Sequence, residues 1–105
     1  MRVVRTTRYA KDLKKLKVSD DDIETMEREI ADDPLKGAVI QGLKGIRKMR
    51  FRIGNRGKSS GGRSIYFVKL ADESVLMLTA YAKAEKDDLS PEDRRAISKI
   101  LEDYA

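Results

Sequence analysis

The hydrophobic positions of this chain change period twice, and the changes mark out its elements. Val3 and Val4 stand among polar residues and predict a short first strand, which ends where Thr6 or Thr7 can cap a helix. From Tyr9 to Leu16 the apolar residues Tyr9, Leu13 and Leu16 recur at i, i+4 and i+7, with lysines on the remaining faces, which predicts a basic amphipathic helix. Ser19 followed by three aspartates is a second helix start, with Ser19 as cap and Asp22 in the capping-box position. Ile23, Met26 and Ile30 give its apolar stripe. Asp33-Pro34 ends it, because proline disfavours helix in the residue before it. The two helices are expected to form a hairpin.

Leu35 to Gly45 shows no sustained period and reads as a loop. From Ile46 to Ile53 the period becomes two: Met49, Phe51 and Ile53 face one way, and Lys48, Arg50 and Arg52 the other. A glycine-rich connection, Gly54 to Gly62, leads to a third strand at Arg63 to Leu70. A tight turn at Ala71 to Ser74 leads to a fourth at Val75 to Lys83, apolar on both faces and therefore interior. Ser90-Pro-Glu-Asp93 opens a last helix whose buried stripe is Ile97, Ile100, Leu101 and Tyr104. The expected fold is α+β in the order β-α-α-β-β-β-α. Its three later strands form an antiparallel meander, the first strand lies at an edge, and the helices pack on one face.

The charges change this picture. Between Pro34 and Ala71 there are ten Lys or Arg and no Asp or Glu, whereas the rest of the 105-residue chain has thirteen positive against eighteen negative charges. Eight of those acids lie between Ser19 and Asp33 against one arginine, so the second helix is a poor RNA surface. A concentrated block of like charge repels itself and implies an anionic partner. The chain is expected to be one domain, 1–105, and to act in the cytoplasm, since its N-terminus lacks the apolar core of a secretory signal and no apolar run is long enough for a bilayer. It contains no Cys and no His. Thiolate chemistry, zinc fingers and every histidine-based nucleophile are thereby excluded. Gly54-Asn-Arg-Gly-Lys-Ser59 is not a nucleotide P-loop, having two residues between its glycines where the motif needs four.

The segments Arg56-Gly-Lys58, Gly61-Gly-Arg63-Ser-Ile-Tyr66 and Leu78-Thr-Ala-Tyr-Ala-Lys-Ala-Glu-Lys-Asp-Asp-Leu-Ser90 resemble the RelE superfamily of bacterial toxins, in particular its HigB-like branch. The resemblance implies a type II toxin that cleaves mRNA on translating ribosomes, acting without metal or cofactor. It also implies neutralisation by a small helix-turn-helix, HigA-like antitoxin, whose complex with the toxin binds operator DNA through the antitoxin. Cleavage by a 2′-hydroxyl needs a proton acceptor, a proton donor for the departing 5′-oxygen, and cations for charge developing on the phosphate. Arg63, Lys58, Tyr81 and Lys83 are the expected catalytic set, with Arg56, Lys86, Arg50, Arg52 and Lys48 holding RNA. Four of them also have a plainer reading: Tyr81 as core, Lys86 as a surface ion pair among its acidic neighbours, and Arg56 and Lys58 as phosphate contacts without catalysis. The sequence departs from RelE at two places, having Ala84 and Ser90 where RelE has an arginine and a tyrosine. That leaves two alternatives to the nuclease open, a non-catalytic ribosome-binding inhibitor and a gyrase-poisoning toxin of similar fold, and nothing local favours the second.

Overall fold

A computed structural model of the chain describes every residue except Arg56, Ser59 and Ala105. In chain order the elements are β1 (Arg2–Arg5), α1 (Thr7–Lys15), α2 (Asp20–Asp32), β2 (Ala38–Val39), β3 (Ile46–Phe51), β4 (Gly62–Lys69), β5 (Ser74–Ala82) and α3 (Pro91–Tyr104). All five strands form one sheet in the order β1-β5-β4-β3-β2.

The helix starts use the caps written in the sequence. The Thr6 hydroxyl oxygen accepts from the Tyr9 amide at 3.3 Å and donates to the Met77 carbonyl at 2.7 Å, so the cap also fastens α1 to the sheet. Ser19 accepts from the Asp22 amide at 3.2 Å. At α3 the box is reciprocal: the Asp93 amide donates to the Ser90 hydroxyl, and the Ser90 amide to an Asp93 carboxylate oxygen, both at 3.0 Å. Between α1 and α2 the chain reverses through Lys17 at φ 56°. There Val18 N–H donates to Leu13 and Lys17 N–H to Lys14, the paired bonds that close a helix C-terminus.

The strands β3, β4 and β5 form the expected antiparallel meander. β1 lies at the edge and runs parallel to β5, so the sheet is mixed. A strand separated from its partner by two helices and a meander has enough chain to cross over and enter in parallel. Within the stretch expected to be loop, β2 adds a two-residue pairing to β3.

The expectation that helices cover one face is corrected. Tyr9, Leu13, Ile23, Met26 and Ile30 of α1 and α2 pack against Met49, Phe51, Tyr66 and Met77. On the opposite face Ile97 of α3 joins Ile46, Ile65, Leu76, Leu78 and Tyr81. The physical reason lies in β5, all nine of whose residues are buried. A strand apolar on both sides gains nothing from leaving one side in water, and the stripe of α3 is the cover available.

Candidate RNA-binding and cleavage site

The register across the three long strands decides which cations meet. Arg50 on β3 pairs with Arg63 on β4, and Arg63 with Tyr81 on β5. Directly paired residues share a face, so these three side chains stand in one row across the sheet, on the side of α3. Like charges placed opposite one another destabilise a sheet unless an anion or an acceptor lies between them. Arg63, only 8% exposed, donates from Nη1 to the carbonyls of Gly62 at 3.0 Å and Lys58 at 3.3 Å.

Tyr81 is 4% exposed, and its hydroxyl has no hydrogen-bond partner among the described residues. Burial raises its pKa above that of an ordinary tyrosine, with Asp88 adding to the rise and Arg63 opposing it. Over the ring lies Lys86, its Nζ 5.4 Å from the centroid. That ammonium is bonded to Asp93 Oδ2 at 2.7 Å, not to the acids beside it in sequence. Lys83 leaves the sheet just after β5. Its amide donates to Gly61 O at 3.0 Å, which ties the strand end to the glycine-rich loop, and its residue is exposed.

The remaining expected residues lie at varying remove from that row. Lys58 is exposed and points to the α2 side, where Nζ meets Glu29 Oε1 at 2.8 Å and Oε2 at 3.0 Å. Lys48 stands two residues along β3 from Arg50, on the same face and half-buried. Arg52 is exposed and donates from Nε to Gly54 O at 2.8 Å. Arg56 lies outside the described residues. Among the described residues no group of three or more His, Cys, Asp or Glu could hold a metal ion, and no helix is long and apolar enough to cross a membrane.

The family model for the RelE toxin of RelE/RelB toxin–antitoxin systems matches residues 1–105. The chain belongs to the RelE toxin family. Two solved E. coli RelE structures share its fold. An arginine double mutant of the toxin in the free state is 17% identical at a TM-score of 0.61, covering 95% of this chain and 96% of that one. The isolated toxin is 16% identical at a TM-score of 0.60, covering 94% and 97%.

In this RelE-family toxin, sequence reasoning missed Asp93 and Arg8. Asp93 was legible only as an acid in the first turn of α3, although Ser90 three residues earlier was the signal of a reciprocal cap. The carboxylate is 8% exposed and takes Arg8 Nη2 on Oδ1 at 2.8 Å. Burial alone would raise its pKa, but the bonds from Lys86 and Ser90 outweigh it and hold the value at about 2, against 3.8 ordinarily. A carboxylate with a depressed folded pKa contributes stability present in full above its unfolded value and lost as pH falls through the folded one. Asp93 is therefore expected to withdraw up to about 2 kcal/mol between roughly pH 5 and pH 2. Urea midpoints of wild type and Asp93→Asn should converge across that window; a constant gap would refute the assignment.

Proposed function

We propose that this RelE-family toxin is a ribosome-dependent mRNA endoribonuclease of the HigB-like branch, held inactive by a HigA-like antitoxin. The observation that carries the reading is the Arg50–Arg63–Tyr81 row, with Lys86 over the tyrosine and Lys83 at the strand end. Arg50 stands exposed opposite Arg63, and an RNA phosphate is an anion that the two guanidinium groups can share.

In the proposed reaction the 2′-hydroxyl attacks its neighbouring phosphorus, the P–O5′ bond breaks, and a 2′,3′-cyclic phosphate and a 5′-hydroxyl result. Arg63 stabilises the charge gathering on the phosphate oxygens, as a fixed donor held by two backbone carbonyls. Lys83 and Lys86 move the protons at the attacking and departing oxygens in this reading. The buried hydroxyl of Tyr81 makes the ring, not the oxygen, its working part. Lys58 joins by leaving Glu29, an exposed pair worth no more than about 1 kcal/mol, for a phosphate. Arg50, Arg52, Lys48 and Arg56 supply further backbone contacts. No step uses a metal. The antitoxin is expected to cover the cationic face and to carry the complex to operator DNA, and the site of action is the cytoplasm.

A second reading, a ribosome-binding inhibitor without catalysis, is favoured by Ala84 and Ser90 at the places of the RelE arginine and tyrosine. A purified translation system separates the two. Message cut within codons, mapped by primer extension, is the expected result. Translation arrested on intact message would sink the nuclease and support the inhibitor. In both cases binding is expected to weaken steeply with salt.

A further inference from the structure

We infer that Asp93 is a positioning residue that seats the Lys86 ammonium on the face of Tyr81, so that Tyr81 acts on RNA through Lys86 and not through its own hydroxyl. The inference rests on the ribonuclease reading for its effect on catalysis, and on the geometry alone for the seat.

A lysine on an exposed turn samples many rotamers, and a proton carrier that wanders is a poor one. Here two groups hold Lys86: a carboxylate oxygen at 2.7 Å and an aromatic face at 5.4 Å, inside the range of a cation–π contact. The carboxylate is itself fixed on both oxygens. Oδ1 takes Arg8 Nη2 at 2.8 Å, and Oδ2 takes the Ser90 amide at 3.0 Å as well as Lys86. Arg8 is anchored in turn, its Nε donating to Thr79 Oγ1 at 3.2 Å, and the Thr79 hydroxyl donates to Asp12 on α1. A continuous chain of bonds thus runs from α1 through β5 to α3 and ends at an ammonium over the residue that pairs with Arg63.

Neither simple helix capping nor simple charge pairing accounts for this. A cap at α3 needs only Ser90 and one Asp93 oxygen, and leaves no reason for Lys86 and Arg8 to converge on the same carboxylate. A casual ion pair would use Glu85, Asp87 or Asp88, the neighbours of Lys86 in sequence. Asp88 instead takes the Leu89 amide at 2.8 Å and lies 3.7 Å from Arg94. The sealed hydroxyl of Tyr81 agrees with the same assignment, because in a residue 4% exposed whose oxygen makes no bond among the described residues, the ring under Lys86 is the part with a polar neighbour.

The test measures two things on wild type, Asp93→Asn, Ser90→Ala, Lys86→Met and the Asp93→Asn/Lys86→Met double variant. The first is kcat and KM for cleavage of a short message on programmed ribosomes. The second is the NMR shift of the Lys86 Cε protons, which the Tyr81 ring current moves upfield and which needs no RNA. Replacing Asp93 by asparagine keeps the shape and the cap acceptor and removes the charge. The expected result is a roughly tenfold loss of kcat in Asp93→Asn with KM within about twofold, no further loss when it is added to Lys86→Met, and a Cε shift returned to the value of a free lysine. Ser90→Ala, which weakens the cap alone, keeps both the shift and kcat. The inference is overturned if Asp93→Asn leaves the Cε shift in place, or if its loss multiplies with that of Lys86→Met. A wild type that cuts no message while losing the shift in Asp93→Asn would refute the ribonuclease and uphold the seat.

Discussion

Arg63→Ala is expected to cut message cleavage on programmed ribosomes by about 100- to 1,000-fold, the usual loss when one fixed donor to a developing anion is removed. The chain lacks histidine, so in the proposed reaction charge stabilisation falls to arginine and lysine, and Arg63 is the arginine that the register sets in the middle of the row. Stability should fall by about 1 to 3 kcal/mol, because the Gly62 and Lys58 carbonyls lose their donor, a loss that relief of the Arg50–Arg63 opposition offsets only in part. Arg63→Lys should restore only part of the rate, because a point charge cannot reproduce the planar fork. Rate constants and thermal midpoints measured side by side check this. A rate within threefold of wild type in a folded Arg63→Ala protein would remove Arg63 from the chemistry.

Gly61→Ala is the change expected to cost most in stability. A Cβ built on Gly61 would lie 2.3 Å from the Phe51 carbonyl oxygen, 3.0 Å from that of Gly57 and 3.1 Å from the Ile53 amide. All three are backbone atoms, so no side chain can step aside, and the loop must lift away from the end of β3. About 2 to 3 kcal/mol is the expected loss, which in a domain of this size lowers the thermal midpoint by roughly 10 to 20 °C. Cleavage should fall too, because Gly61 O receives the Lys83 amide and precedes Arg63 by two residues. A midpoint within about 2 °C of wild type would show that the loop does not approach β3 so closely.

These two residues also mark how far the sequence could be read. Arg63 was legible as a functional candidate from its motif. Gly61 was legible only as part of a flexible connection, and its true constraint, a backbone passing against another backbone, has no signature in local sequence. The same division separates Lys86 from Asp93. A lysine in a recognisable segment is noticed, whereas the acid that holds it lies seven residues on in another element and announces itself only as a helix cap.

What the sequence determined by itself was the set of elements other than β2. Thr6, Ser19 and Ser90 fixed where the helices begin, and the period of two between Ile46 and Ile53 put Arg50 and Arg52 opposite Met49 and Phe51, because local hydrogen bonds and alternation act within a few residues of each other. The tertiary structure decided the rest. It made β1 parallel to β5, set α3 on the second face, and paired Arg50 with Arg63 and Arg63 with Tyr81. It also turned Lys58 toward Glu29 and Lys86 toward Asp93. Such pairings are choices among partners on different elements, made by register and by the burial of both faces of β5, and local periodicity carries no record of them.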